Sequence, residues 1–184
     1  PDLMGLGDTD VDPKATDFSM PSQVEMLEDF LTALGVPRTH VVAHDQGGAA
    51  GQIFAVRNIE RLDRLVLTDC VCYDNWPVPT VRQLMRLARI PWLAEHAGRV
   101  GLIEWVERRT RFSSFRRGVV DKAAFPDEAI AEYLRPLRGS REARERFRGF
   151  LLAGSSRHTM AVAGLLRELR RPTMILWAEE DVFI

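Results

Sequence analysis

The stretch Val41-Val42-Ala43-His44-Asp45-Gln46-Gly47-Gly48-Ala49-Ala50 constrains this chain more than any other. A short β-branched run leads into a polar residue set among small ones, and a small-residue helical pattern follows. For a chain to pass from strand to helix over one residue, that residue must sit on a sharp, strained turn. The residues two before and two after it, Ala43 and Gly47, must then be small enough for the backbones to pass. Asp45 would stand at the mouth of a helix whose free N–H groups favour a carboxylate, and an oxyanion formed beside it. An aspartate so placed can attack an electrophilic carbon and form an ester, which water activated by a histidine would hydrolyse. The plainer alternative is that Asp45 only caps the helix, as Asp often does. The combination of strand, Ala43, the Gly47-Gly48 pair and a small-residue helix favours the reactive role.

The surroundings fit an α/β fold with a parallel sheet wound by helices. A helix is expected over 22–34, with Ser22 and Glu25 in capping-box spacing, an apolar face at Val24, Leu27, Leu31 and Leu34, and Gly35 as its stop. Strands are expected over 39–43, 65–68 and 172–177, and a helix through 52–56. Between Trp76 and Arg171 only helical patterns occur: 81–88, 92–109, 127–134, 141–152 and 160–169, set apart by Pro77, Pro79, Pro91, Pro126, Pro136 and Gly139. A helical block between two strands of one sheet suggests a lid over the strands' carboxyl ends, where α/β folds bind ligands. The expected organisation is therefore core over 1–76, helical cap over 77–156, and core again over 157–184, truncated before the last strand. The chain opens on Pro1-Asp2-Leu3 and closes on the apolar Val182-Phe183-Ile184, so an internal fragment of a longer protein is expected.

Charge narrows the partners. The net charge is −1, and glutamates and aspartates interleave with the arginines of the helical block, so no field recruits nucleic acid or a membrane surface. A small-molecule substrate is the expected partner, with a homodimer left open. Cys70 and Cys72 lie too close in sequence to close a long loop as a disulfide. With no matching His/Cys cluster they also make a poor metal site. They read as small buried hydrophobes in a reducing, cytoplasmic setting, and no metal or cofactor is expected.

His44-Asp45-Gln46-Gly47-Gly48 resembles the nucleophile elbow of the epoxide hydrolase and haloalkane dehalogenase branch of the α/β-hydrolases. The likeness runs along nearly the whole chain. Pro1-Asp2-Leu3-Met4-Gly5-Leu6-Gly7-Asp8-Thr9-Asp10 is similar to the segment after that family's fourth strand, and the helical insert falls where the family places its cap. Trp177-Ala178-Glu179-Glu180-Asp181 is similar to the loop after the seventh strand, where many members carry the acid that orients the catalytic histidine. The resemblance implies Asp45 as nucleophile and Asp181 as that acid. Asp69, at the end of the 65–68 strand, matches the position some dehalogenases use instead and stays the alternative. Gln46 would lend its backbone N–H to the oxyanion hole. The catalytic histidine is expected beyond Ile184, and the other half of the oxyanion hole before Pro1. His40, His44, His96 and His158 are then surface or internally satisfied histidines.

The same resemblance implies a small organic electrophile. Dehalogenases commonly hold the halide with a Trp directly after the nucleophile, and here that place is taken by Gln46. Epoxide hydrolases protonate the opening ring with cap tyrosines, and Tyr133 is the candidate cap acid. Epoxide hydrolysis is thus placed ahead, with haloalkane or haloacid dehalogenation as the alternative. A non-catalytic binding protein on the same fold stands as the reading from another class.

Overall fold

Three apolar runs become the sheet. The structure, a computed structural model, describes residues 1–183; Ile184, the last residue of the expected core segment 157–184, lies outside the described residues. Strands β1 (Thr39–His44), β2 (Leu62–Cys70) and β3 (Thr173–Leu176) pair in that order, all parallel. The register aligns His44 with Thr68 and Thr68 with Leu176, so the carboxyl ends of all three strands finish in one row. Asp45, Asp69 and Trp177 follow that row directly.

Among the described residues the chain divides into two compact units. The sheet unit, Phe18–Pro79 with Ala153–Val182, adds helices α1 (Met20–Ala33), α2 (Asp45–Arg57) and α9 (Arg157–Leu166). Its core gathers Ala55, Leu62 and Leu65, with Val41, Leu67 and Leu169 packed against them. Each leucine buried this fully contributes about 1.5–3 kcal/mol by leaving water. By contrast, Val42 and all four residues of β3 are exposed.

Helix α1 begins two residues earlier than its sequence pattern predicts. Pro21 suits the first turn, where its missing N–H costs nothing, so Ser19 becomes the N-cap and Ser22 falls inside the helix. The predicted Ser22–Glu25 capping box is therefore not the helix start. The predicted stop is found as read. Gly35 adopts φ +65°, its N–H reaches the Thr32 carbonyl at 3.0 Å, and the Val36 N–H reaches that of Leu31 at 2.9 Å.

Helix α2 starts directly from β1, and the tight positions differ from those expected. A Cβ on Gly47 would meet nothing within 4 Å, so the small residue predicted two after Asp45 is not what lets the helix approach. The contact falls one residue on. A Cβ on Gly48 would lie 2.1 Å from the Cys70 sulfur and 3.2 Å from its Cα, and one on Gly51 would lie 2.8 Å from the Ala43 Cβ. The helical rotation turns Gly48 and Gly51, three residues apart, toward the sheet and turns Gly47 away. Gln52, one turn after Gly48, is buried and spans the gap. Its side-chain NH2 donates to the Gly48 carbonyl at 2.9 Å and to that of Val71 at 2.8 Å. In α9 the buried Thr159 hydroxyl donates to the Tyr73 carbonyl at 2.5 Å, joining the segment that leaves the sheet unit after β2 to the one that returns to it.

The helical unit, Pro1–Asp17 with Thr80–Leu152 and Phe183, holds α3 (Pro79–Ala88), α4 (Pro91–Arg99), α5 (Leu102–Arg109), α6 (Ser114–Arg117), α7 (Asp127–Gly139) and α8 (Arg141–Ala153). One predicted helix over 92–109 is two, because Gly101 takes φ +70° between them. Another runs five residues past its predicted end: Pro136 sits inside α7, giving up one N–H without stopping it. The opening segment, read from sequence as part of the core, has its contacts here. Asp8 pairs with Arg135 at 2.9 Å and Asp10 with Arg146 at 2.5 Å. Such exposed pairs are worth about 0–1 kcal/mol each. Glu104 is different, because it is buried and holds both Arg108 and Arg138 at 2.9 Å. Among the described residues no helix is long and apolar enough to cross a membrane.

The glycine geometry separates two neighbours that sequence treats alike. In the native protein, Gly48→Ala should cost about 1–3 kcal/mol through overpacking against Cys70. Gly47→Ala, in open space within a helix, should be neutral or stabilising by up to about 1 kcal/mol. Denaturant melts of the two variants check this, and equal losses would refute the assignment of the close approach to Gly48.

Candidate active site

Asp45 occupies the turn from β1 to α2 with φ +48°, a left-handed backbone that non-glycine residues rarely hold. Asp and Asn tolerate it best among side-chain-bearing residues, and such strain persists only where surrounding contacts impose it. Here the Val71 N–H holds the Asp45 carbonyl at 3.0 Å, and Asp45 pairs with Cys70 as an isolated parallel bridge. The N-cap place falls to His44, whose side chain makes no capping bond. Asp45 therefore stands one place after the cap, where its carboxyl still meets a free helix N–H.

The carboxyl of Asp45 receives the backbone N–H of Gln46, the group expected to serve the oxyanion hole. Its pKa is pushed above the ordinary carboxylate value. Burial is the chief cause, opposed by the charge of His44 and by the Gln46 N–H, and reinforced by the negative charge of Asp181. The residue is nonetheless open on one side to solvent. The protein mass around the carboxyl raises its pKa, and the open side keeps it reachable.

The two carboxylates proposed from sequence as partners have distinct surroundings. Asp69 also carries a positive φ, +42°. One of its oxygens accepts the Ala178 N–H at 2.7 Å and the other accepts the Thr68 hydroxyl at 3.1 Å. Asp181 lies on the turn after β3, where its N–H reaches the Ala178 carbonyl at 3.3 Å and its charge is felt by Asp45. His44 turns its ring Nδ1 to the Thr68 carbonyl at 2.9 Å, a link between β1 and β2.

Tyr133 lies in the other unit, on α7, 66% exposed, with its ring centroid 5.4 Å from that of Phe115 and 6.1 Å from that of Phe125. His40 and His96 are exposed in β1 and α4, and His158 in α9 accepts from Arg157 at 3.1 Å. Cys70 is buried beneath the turn, and burial pushes its thiol pKa up to about 11, so it stays protonated and acts as a small packing group. Among the described residues no His/Cys/Asp/Glu group is arranged to hold a metal ion.

Sequence reasoning missed Gln52, Thr68 and Asn75. Gln52 carried a readable signal: a polar residue among small and apolar neighbours, on the face of α2 that meets the sheet. Asn75 carried none, since a turn asparagine is common. Its side chain closes the loop after β2, accepting the Cys72 N–H at 2.9 Å and donating to the Cys70 carbonyl at 3.1 Å.

Comparison with known proteins identifies the fold. A family model described as alpha/beta hydrolase fold matches residues 1–99. Over 84 residues the chain is 30% identical to a soluble epoxide hydrolase of Corynebacterium sp. strain C12, covering 43% of this chain and 29% of that enzyme. The structure resembles that of epoxide hydrolase CorEH, with TM-score 0.75 and 21% identity over 97% of this chain and 64% of that one. It also resembles a loop variant of the haloalkane dehalogenase DbeA from Bradyrhizobium elkanii, with TM-score 0.71 and 18% identity over 100% of this chain and 64% of that one. At such identities the structural likeness speaks for the fold alone. The chain spans about a third or less of the length of the curated relatives it matches.

The raised pKa of Asp45 has a thermodynamic counterpart. A carboxyl whose folded pKa lies above its unfolded value favours the native state while protonated, and that contribution is lost as pH rises through the folded value. Asp45→Asn, which stays neutral and tolerates the same backbone, should therefore be more stable than the parent at neutral pH. The advantage should vanish as pH falls below the ordinary carboxylate value of about 3.9. Thermal melts across pH measure this, and a variant less stable at pH 7 would contradict the crowding of Asp45.

Proposed function

The chain belongs to the alpha/beta hydrolase fold family, and on that footing we propose that the native protein is a hydrolase that works through an aspartyl ester on Asp45. The observation that carries this reading is the pairing of a strained φ at Asp45 with a backbone N–H from Gln46 on its carboxyl. A side chain that only capped α2 would need no such backbone.

In the first half-reaction a carboxylate oxygen of Asp45 attacks an electrophilic carbon. A carbon–oxygen or carbon–halogen bond breaks, and its electron pair leaves with the departing atom. In the second half, water loses a proton to a histidine and adds to the carboxyl carbon of Asp45 itself. The oxyanion of that step forms on an Asp45 oxygen, and the Gln46 N–H, which already lowers the Asp45 pKa, is the proposed donor to it. Asp181 orients and balances the imidazolium, and Asp69 is the alternative for that role. The pH dependence of the first half follows from the raised pKa of Asp45, because only the ionised carboxyl attacks.

An epoxide is the favoured substrate class. Gln46 follows the nucleophile where a halide-binding Trp would favour dehalogenation, and Tyr133 is the proposed proton donor to the opening ring. The likeness to a soluble epoxide hydrolase of Corynebacterium supports the same choice. Dehalogenation is the second reading, supported by the likeness to DbeA.

The test is turnover of the native protein in 18O-labelled water with a small terminal epoxide and, separately, a bromoalkane. Hydrolysis of an aspartyl ester puts solvent oxygen into the Asp45 carboxyl, so its peptide should gain the mass of heavy oxygen under the active substrate. Product formation that leaves the Asp45 peptide unlabelled would show direct attack by water and refute the ester.

A further inference from the structure

We propose that Asp69 is a positioning residue whose carboxylate clamps the turn carrying Asp181 and so fixes the backbone of Asp181. This rests on the aspartyl-ester reading above and assigns Asp69 a role other than triad acid.

Both oxygens of Asp69 are engaged inside the sheet unit. The 2.7 Å bond from the Ala178 N–H is short for an amide donor, as expected of a carboxylate acceptor. The second oxygen takes the Thr68 hydroxyl at 3.1 Å. Ala178 is held from its other side as well, because its carbonyl accepts the Asp181 N–H at 3.3 Å. One peptide step thus connects the Asp69 clamp to the backbone of Asp181. The positive φ of Asp69 fits this purpose, since a strained backbone persists only where the contacts it makes demand it.

The clamp continues across the strand ends. Thr68 contributes its hydroxyl to Asp69 and its carbonyl to the His44 ring at 2.9 Å, and His44 adjoins Asp45. The ends of β1, β2 and β3 are therefore joined by three side-chain bonds, His44 to Thr68, Thr68 to Asp69 and Asp69 to Ala178. Both oxygens of Asp69 bond to neighbours in its own unit, contacts that hold backbone in place, while the charge of Asp181 reaches Asp45.

The two roles predict different behaviour for an isosteric change. Asparagine at 69 can accept the Ala178 N–H through its amide oxygen and donate to the Thr68 hydroxyl, which also accepts. It tolerates positive φ as aspartate does. In the native protein with its active substrate, Asp69→Ala should slow ester hydrolysis about 10–100-fold while ester formation changes little, so ester accumulates on Asp45 and is seen by intact mass. The size is that typical of losing an outer partner that orients a working group. Asp69→Asn should recover the rate to within about tenfold of the parent, whereas Asp181→Asn should lose on the order of 10⁴, as an orienting acid does when it becomes an amide. Burst and steady-state kinetics separate the two half-reactions. Loss by Asp69→Asn as deep as that of Asp181→Asn would overturn the proposal and make Asp69 the acid. Equal slowing of both half-reactions in Asp69→Ala would overturn it too, as a purely structural effect. Failure of the aspartyl-ester reading is distinguishable, because the parent protein would then leave Asp45 unlabelled in 18O water.

Discussion

The close approach of α2 to the sheet governs everything else in the sheet unit. With a hydrogen in place of a side chain at Gly48, the helix can lie against Cys70, and at Gly51 it can lie against Ala43. That proximity forces the chain to leave β1 and enter α2 within one residue, which is why Asp45 has a positive φ. It also brings Gln52 within reach of the Val71 carbonyl, so the loop after β2 is bonded to the same helix. Interiors are packed densely enough that one added carbon at such a point is felt throughout. The raised pKa of Asp45 is a further result, since the protein around its carboxyl displaces part of its water.

Much of this was legible in the sequence, and the reasons are specific. The strands, α2 and the stop at Gly35 announce themselves through apolar runs and glycines whose local chemistry leaves few alternatives. Asp45 stood out because its neighbours are small, although sequence spacing placed the critical glycine at 47 and the packing places it at 48. The difference is one of rotation: a linear pattern gives spacing from Asp45, while contact depends on which side of the helix faces the sheet. The Ser22 capping box misled for a similar reason, because Pro21 moved the helix start upstream. The break at Gly101 and the passage of α7 through Pro136 show tertiary context overriding local preference in both directions.

The bonds of Asp69 could not have been read from sequence at all. Asp69 and Ala178 are 109 residues apart, and no local rule links them. Seen from the chain alone, Asp69 and Asp181 are two carboxylates after two strands of one sheet. Only their contacts distinguish one whose oxygens both bond to neighbours from one whose charge bears on Asp45. Asp181 carries a cost, since its like charge opposes the ionisation of Asp45. The Gln46 N–H and the His44 charge offset part of it.

The bond from Thr159 to the Tyr73 carbonyl has a consequence for how such a molecule can change over generations. It ties the point where the chain departs for the helical unit to the point where it comes back, within the sheet unit itself. The insert therefore hangs from a closed base, and the alignment of the strand ends does not depend on its length or internal helices. Loop-closure entropy grows only slowly with loop size, so a longer or shorter insert costs little once the base is fixed. The two units are in this sense separately variable: the helices can be rewritten while Asp45, Asp69 and Asp181 stay where they are.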